Sequence, residues 1–148
     1  MTSLRQRLRN EDGSILILAI FYGMLALIVI LLVAAATSLY VERKRLFSVA
    51  DAAALVGAES FDLSTVSVDD GVPRVTLSST AVRAAVEEFL GDNSTAGFEE
   101  LRLEQAASLD GRSATVTLSS YWRPPVLTAF VPDGIRLDVT SVARSVFR

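Results

Sequence analysis

No charged side chain occurs between Asp12 and Glu42, and that one feature limits what the chain can fold into more than any other. Inside the interval, Ile15-Leu16-Ile17-Leu18-Ala19-Ile20-Phe21 and Leu25-Ala26-Leu27-Ile28-Val29-Ile30-Leu31-Leu32-Val33 are almost purely aliphatic. A bilayer core of roughly 30 Å needs roughly 20 apolar helical residues, so the run is long enough to span with turns to spare. A helix satisfies every backbone polar group within itself, which makes one unbroken helix the natural form in lipid. A chain of 148 residues is too short to bury, inside a soluble core, a helix that is apolar on all sides. The other competing reading is a cleavable signal peptide, since Ala34-Ala35-Ala36 offers small residues after a basic start. Such apolar regions usually run about 7 to 15 residues, and this one is much longer.

With one span subtracted, enough chain remains for a single small domain, whose modest core would lean on its own long helix or on partner subunits. Cys 0 and His 0 remove disulfides, thiolate metal sites, the usual metal ligand and the usual general base near neutral pH. No cofactor or metal site is expected. The net charge of −3 and the lack of a basic stripe interleaved with aromatics leave no electrostatic footprint for nucleic acid.

Before the span, Arg5, Arg7 and Arg9 precede Glu11 and Asp12 in a polar tail over residues 1–12. Arg43, Lys44 and Arg45 match them in number beyond it. Charge bias is therefore even, but a short tail lies on one side and a whole domain on the other, and long segments translocate largely regardless of charge. The expected topology is N-terminus cytoplasmic and C-terminus outside, in the cell's inner membrane. Ala19 and Gly23 stand four apart and offer a helix-packing face in lipid, although small residues are common in such helices. Tyr40 sits where an interfacial aromatic would anchor the outer end.

Nothing after Tyr40 stops the helix. Leu46, Val49, Ala50, Ala53 and Val56 continue an apolar stripe at helical spacing, and the first stop signals are Gly57 and then Asp62-Leu63-Ser64-Thr65. The pattern predicts a helix over residues 14–60, divided into a membrane part over 13–41 and a continuation over 42–62, followed by a small domain over 63–148. In that domain Val66-Ser67-Val68 and Val75-Thr76-Leu77 flank the turn Asp69-Asp70-Gly71, with Pro73 confining the second segment to an edge. The acidic pair there lacks the spaced oxygen ligands of a calcium loop and reads as a solvated turn. Thr80 is the expected cap of a helix over 81–90 that Gly91 ends, with Val82, Ala85, Val86 and Phe89 on one face.

Strand patterns follow. Leu101 and Leu103 alternate with Arg102 and Glu104, Asp110-Gly111 is a two-residue hairpin signal, and Ala114 to Leu118 form the return strand. Arg123-Pro124-Pro125 breaks it, an apolar connection over 126–132 follows, and Asp133-Gly134 turns the chain. The last strand places Ile135, Leu137, Val139, Ala143 and Phe147 on one face. The simplest assembly is α+β, with an antiparallel sheet of three or four strands laid against the outer half of the long helix. Lysine occurs only at position 44, between two arginines, and without histidine no activated serine or threonine nucleophile is in view. The chain is not expected to be an enzyme.

Glu11-Asp12-Gly13-Ser14 leads into the aliphatic run, and Glu42-Arg43-Lys44-Arg45 followed by Ala50-Asp51-Ala52-Ala53-Ala54-Leu55 comes after it. This arrangement resembles the start of the TadE/TadG-like proteins of the tight-adherence (Flp-type) pilus system. The resemblance covers about the first sixty residues well and the remainder loosely. It implies a pilin-like ectodomain on a membrane anchor, a non-enzymatic part in pilus assembly or anchoring, and partners among other pilus subunits through helix packing in a homo- or hetero-oligomer. Some relatives are pseudopilins, cut after a glycine and carrying glutamate five residues into the mature chain. Here the cut would fall between Gly13 and Ser14, and the fifth residue of the product is Leu18, which places the chain nearer the unprocessed, TadG-like side. Asp51 has no basic residue three or four positions away on its own helix. It is either a solvated charge or a contact to the sheet domain or to an adjacent subunit. A secreted module released after Ala36, or a membrane-anchored binding or regulatory module of another envelope complex, stays open as the alternative.

Overall fold

The computed structural model describes residues 3–61, 67–69, 72–74, 76–93, 97–124 and 132–144. The element order is one long helix α1 (Ser3–Glu59), a small hairpin of β1 (Ser67–Asp69) and β2 (Val72–Arg74), a second helix α2 (Ser79–Asp92), and strands β3 (Glu99–Ala107), β4 (Ser113–Trp122) and β5 (Ile135–Arg144). The chain divides into two compact units, residues 1–38 and 39–148.

In the first unit every described residue from Ile15 to Ile30 is exposed, with Ile17 at 71% and Met24 at 65%. An apolar surface of this extent is what lipid contact requires and what water penalises. The expected polar tail is itself helical from Ser3, because nothing in residues 3–12 breaks a helix. At the other end α1 closes where the Ser60 N–H and hydroxyl both donate to the Gly57 carbonyl, at 3.3 and 2.7 Å.

The second unit is built around the last turns of α1. Leu46, Ala50, Ala53, Ala54 and Ala58 of α1 are buried with Val82 and Val86 of α2, Leu77, Ala106 of β3, Ala114, Val116 and Leu118 of β4, and Val139 of β5. The sheet has three strands in the order β3-β4-β5, all antiparallel, and β1-β2 form a separate ribbon. β4 pairs β5 without interruption from Ser113↔Arg144 to Trp122↔Ile135. β3 carries two register shifts, the first at Glu100, whose φ of 52° is the left-handed conformation that a bulge imposes. The outer face of the sheet is held by polar pairs, with the Thr117 and Thr140 hydroxyls 3.0 Å apart and the Ser119 hydroxyl donating to Glu104 at 2.6 Å.

Four local expectations are corrected. Gly57 does not stop α1: a Cβ there would lie 3.1 Å from Val82, 3.2 Å from Ala114 and 3.3 Å from Val86, so it is a point of close approach to α2 and β4. The cap of α2 is Ser78 rather than Thr80, its hydroxyl accepting from the Ala81 N–H at 3.1 Å, and the helix runs through Gly91 to Asp92, where Asn93 caps the Phe89 carbonyl at 2.9 Å. Starting two residues earlier lets Ser79 bond the backbone of Ser108 in both directions, at 3.0 and 3.1 Å, tying α2 to the end of β3. Asp110-Gly111 is not a two-residue turn but part of a loop over 108–112, in which the Asp110 carboxylate accepts from the N–H groups of Arg112 and Ser113. The ribbon uses Val72 to Arg74 rather than the segment beginning at Val75, and Leu77 is a core residue. Val66, Val75, Asp62 to Thr65, Asp70-Gly71, residues 125–131 and Phe147 lie outside the described residues.

Candidate functional site

The segment over residues 50–55 splits by helical phase. Ala50, Ala53 and Ala54 are fully buried, while Asp51, Ala52 and Leu55 are exposed. The buried alanines share the core with residues of α2 and β4, and Gly57 continues the same row, where Val82, Val86 and Ala114 pack directly on the helix. In this chain three of the motif's five apolar residues therefore serve its own core.

Asp51 is tied to the sheet domain. Its carboxylate accepts a hydrogen bond from the hydroxyl of Ser141, at 2.9 Å. Ser141 is 6% exposed, on the inner face of β5, so the bond satisfies a hydroxyl that water reaches poorly. The carboxylate itself remains at the surface. Of the readings left open for Asp51, the structure combines two, an exposed charge and a contact to the sheet ninety residues along the chain, and sequence spacing on one helix could not have found its partner.

Around Asp51 the outward face of α1 is a shallow groove that includes Tyr40, Arg43, Lys44, Phe47 and Ser48. Arg45 also lines this groove and is exposed, 3.7 Å from Glu42 and 5.8 Å over the ring of Phe98. On the sheet's outer face Arg136 joins Glu104 and Asp138, each at 3.0 Å. The Asp138 carboxylate, and secondarily Glu104, raise the Arg136 pKa further above its already high value. At the loop after β3, three hydrogen bonds, led by the Arg112 and then the Ser113 N–H, lower the Asp110 pKa from 3.8 to about 2.

The remaining predicted positions lie far along the sequence. Leu18 is 54% exposed, and a Cβ on Gly23 would meet nothing within 4 Å. Ala19 is exposed beside them, so this face has no partner among the described residues. Gly13 and Ser14 fall within α1. Phe98, Ser141 and the packing role of Gly57 were not read from the sequence. Two of these had a signal there: Gly57 continues the helical phase of Ala50 and Ala53, and Ser141 falls on the same strand phase as Val139 and Ala143.

Chemically the site offers packing surface, one hydrogen-bonded carboxylate and three exposed cations. Residues 13–60 match the family model of TadE/G-like Flp pilus-assembly proteins. The matched segment is about a third of the chain and ends one residue beyond α1. No curated protein and no solved structure matches the chain.

Proposed function

We propose that the chain is a non-enzymatic, single-pass membrane protein that assists the assembly or anchoring of a Flp-type pilus. The observation that carries this reading is the coincidence of the matched segment, 13–60, with the helix that supplies both the lipid-compatible surface and the centre of the small domain. One helix in the sequence carries both.

In this reading residues 1–12 are cytoplasmic, 13–41 span the inner membrane, 42–62 continue the helix outside, and 63–148 complete an ectodomain that docks on other pilus subunits. The orientation rests on the size of the C-terminal domain rather than on charge, since the basic residues balance. Leu18 supports an unprocessed anchor, because an aliphatic side chain cannot pair with a newly freed amino terminus on a neighbour. Ala19 and Gly23 give neighbouring helices room to approach, and exposed Asp51, Ala52 and Leu55 are available to a subunit on the outer segment.

Deleting the gene and counting surface pili by electron microscopy tests the reading. Loss or marked reduction of pili, restored by the intact chain in trans, is expected. Normal piliation in the deletion strain contradicts it.

A further inference from the structure

We propose that Arg43 and Lys44, together with Tyr40, form a binding site for the phosphate headgroup of an anionic phospholipid in the leaflet that faces the ectodomain. The inference rests on the membrane reading above. Its first support is depth. The uncharged run over residues 13–41 rises about 43 Å as a helix, against a bilayer of about 40–45 Å including headgroups. Centred in the membrane, such a run brings Tyr40 to the interface and Arg43-Lys44 to the headgroup phosphates.

The second support is the division of labour within the basic triplet. Arg45 already has partners in Glu42 and Phe98. Arg43 and Lys44 are exposed, and neither has an ion pair among the described residues. Glu42, the nearest acid, is already held by Arg45, and Asp51 lies roughly 10 Å farther along the helix, bonded to Ser141. The two cations line one groove with Tyr40, Phe47 and Ser48, which Arg45 with its partners and, at its far end, Asp51 also border. A guanidinium can take two phosphate oxygens at once, and an ammonium adds a mobile point charge. The Tyr40 ring is at home at the same depth, with its hydroxyl toward the headgroups.

The test places the full chain in nanodiscs of equimolar phosphatidylglycerol and phosphatidylcholine, and native mass spectrometry reads the ratio of the two lipids retained. Arg5→Gln, Arg7→Gln and Arg9→Gln are present throughout, so that the other flank cannot select lipid. The expected result is retention of phosphatidylglycerol over phosphatidylcholine, with Arg43→Gln and Lys44→Gln each reducing the preference roughly fivefold. Arg45→Gln removes the same charge but leaves the preference in place, and circular dichroism confirms that each variant keeps its helix. Equal retention of both lipids by a chain that enters the nanodisc overturns this inference and leaves the membrane reading standing. An equal loss with Arg45→Gln overturns it too, since bulk charge then explains the preference. A chain that does not enter the bilayer overturns both.

Discussion

The hydrogen bond between Asp51 and Ser141 couples the exposed side of α1 to the inner face of β5. A hydrogen bond of this kind has a net worth of about 1 kcal/mol, and more when one partner is charged. Asp51→Ala and Ser141→Ala are therefore each expected to lower stability by about 1 kcal/mol. In a double-mutant cycle read by denaturant unfolding, the second substitution adds little, because both remove one interaction. Fully additive losses would show that the two residues act separately. A fall in piliation with Asp51→Asn at unchanged stability would instead reveal a subunit contact beyond the clasp. Asp110 makes a different prediction. Its folded pKa, about 2, lies below the ordinary 3.8. The loop's carboxylate bonds thus contribute stability that is fully present above the unfolded value and is lost as the pH falls from about 4 through about 2. An NMR titration of the Asp110 carboxyl carbon is expected to give a midpoint near 2, and Asp110→Asn should flatten the acid dependence of the β3–β4 loop. A midpoint near 3.8 contradicts the geometry.

Among the elements, α1 was the most legible and also the source of one misreading. Its extent follows from an aliphatic run and the absence of proline, and the buried positions Leu46, Ala50 and Ala53 fall on the stripe that periodicity marks. At Gly57 a missing Cβ serves equally as a stop signal and as room for a neighbour, and only tertiary structure decides between them. With Val82, Ala114 and Val86 packed around it, Gly57→Val is expected to destabilise the domain by about 1–3 kcal/mol through overpacking, measurable as a lowered midpoint of denaturation. An unchanged or raised midpoint would mean that the core can yield there. The same limit explains the cap of α2. Ser78, Ser79 and Thr80 all carry hydroxyls, and the bonds that select Ser78 run to Ser108 and the turn at Gly111, far along the chain. The hairpin signal at Asp110-Gly111 found the right place but not the loop length, since the Asp110 side chain, rather than the backbone alone, organises the turn. Strand β5 was read nearly whole because one face is buried and strict alternation then fixes its register.

In the molecule as a whole, one helix is proposed to serve as both anchor and centre. The exposed aliphatic surface of residues 15–33 has no use in water, and the core of the domain over 39–148 includes Leu46, Ala50, Ala53, Ala54 and Ala58 of the same helix. Cutting α1 after the small residues at 34–36 would separate the two, and cutting it after Gly13 would free a terminus that Leu18 cannot receive. The most direct measurement is fractionation of cells followed by intact-mass determination of the chain. The expected species is in the membrane fraction and carries, on one polypeptide, the sequence on both sides of Gly13 and of Ala36. A soluble species beginning at Thr37 would contradict the account at its centre, and a membrane species beginning at Ser14 would contradict its claim that the anchor is unprocessed.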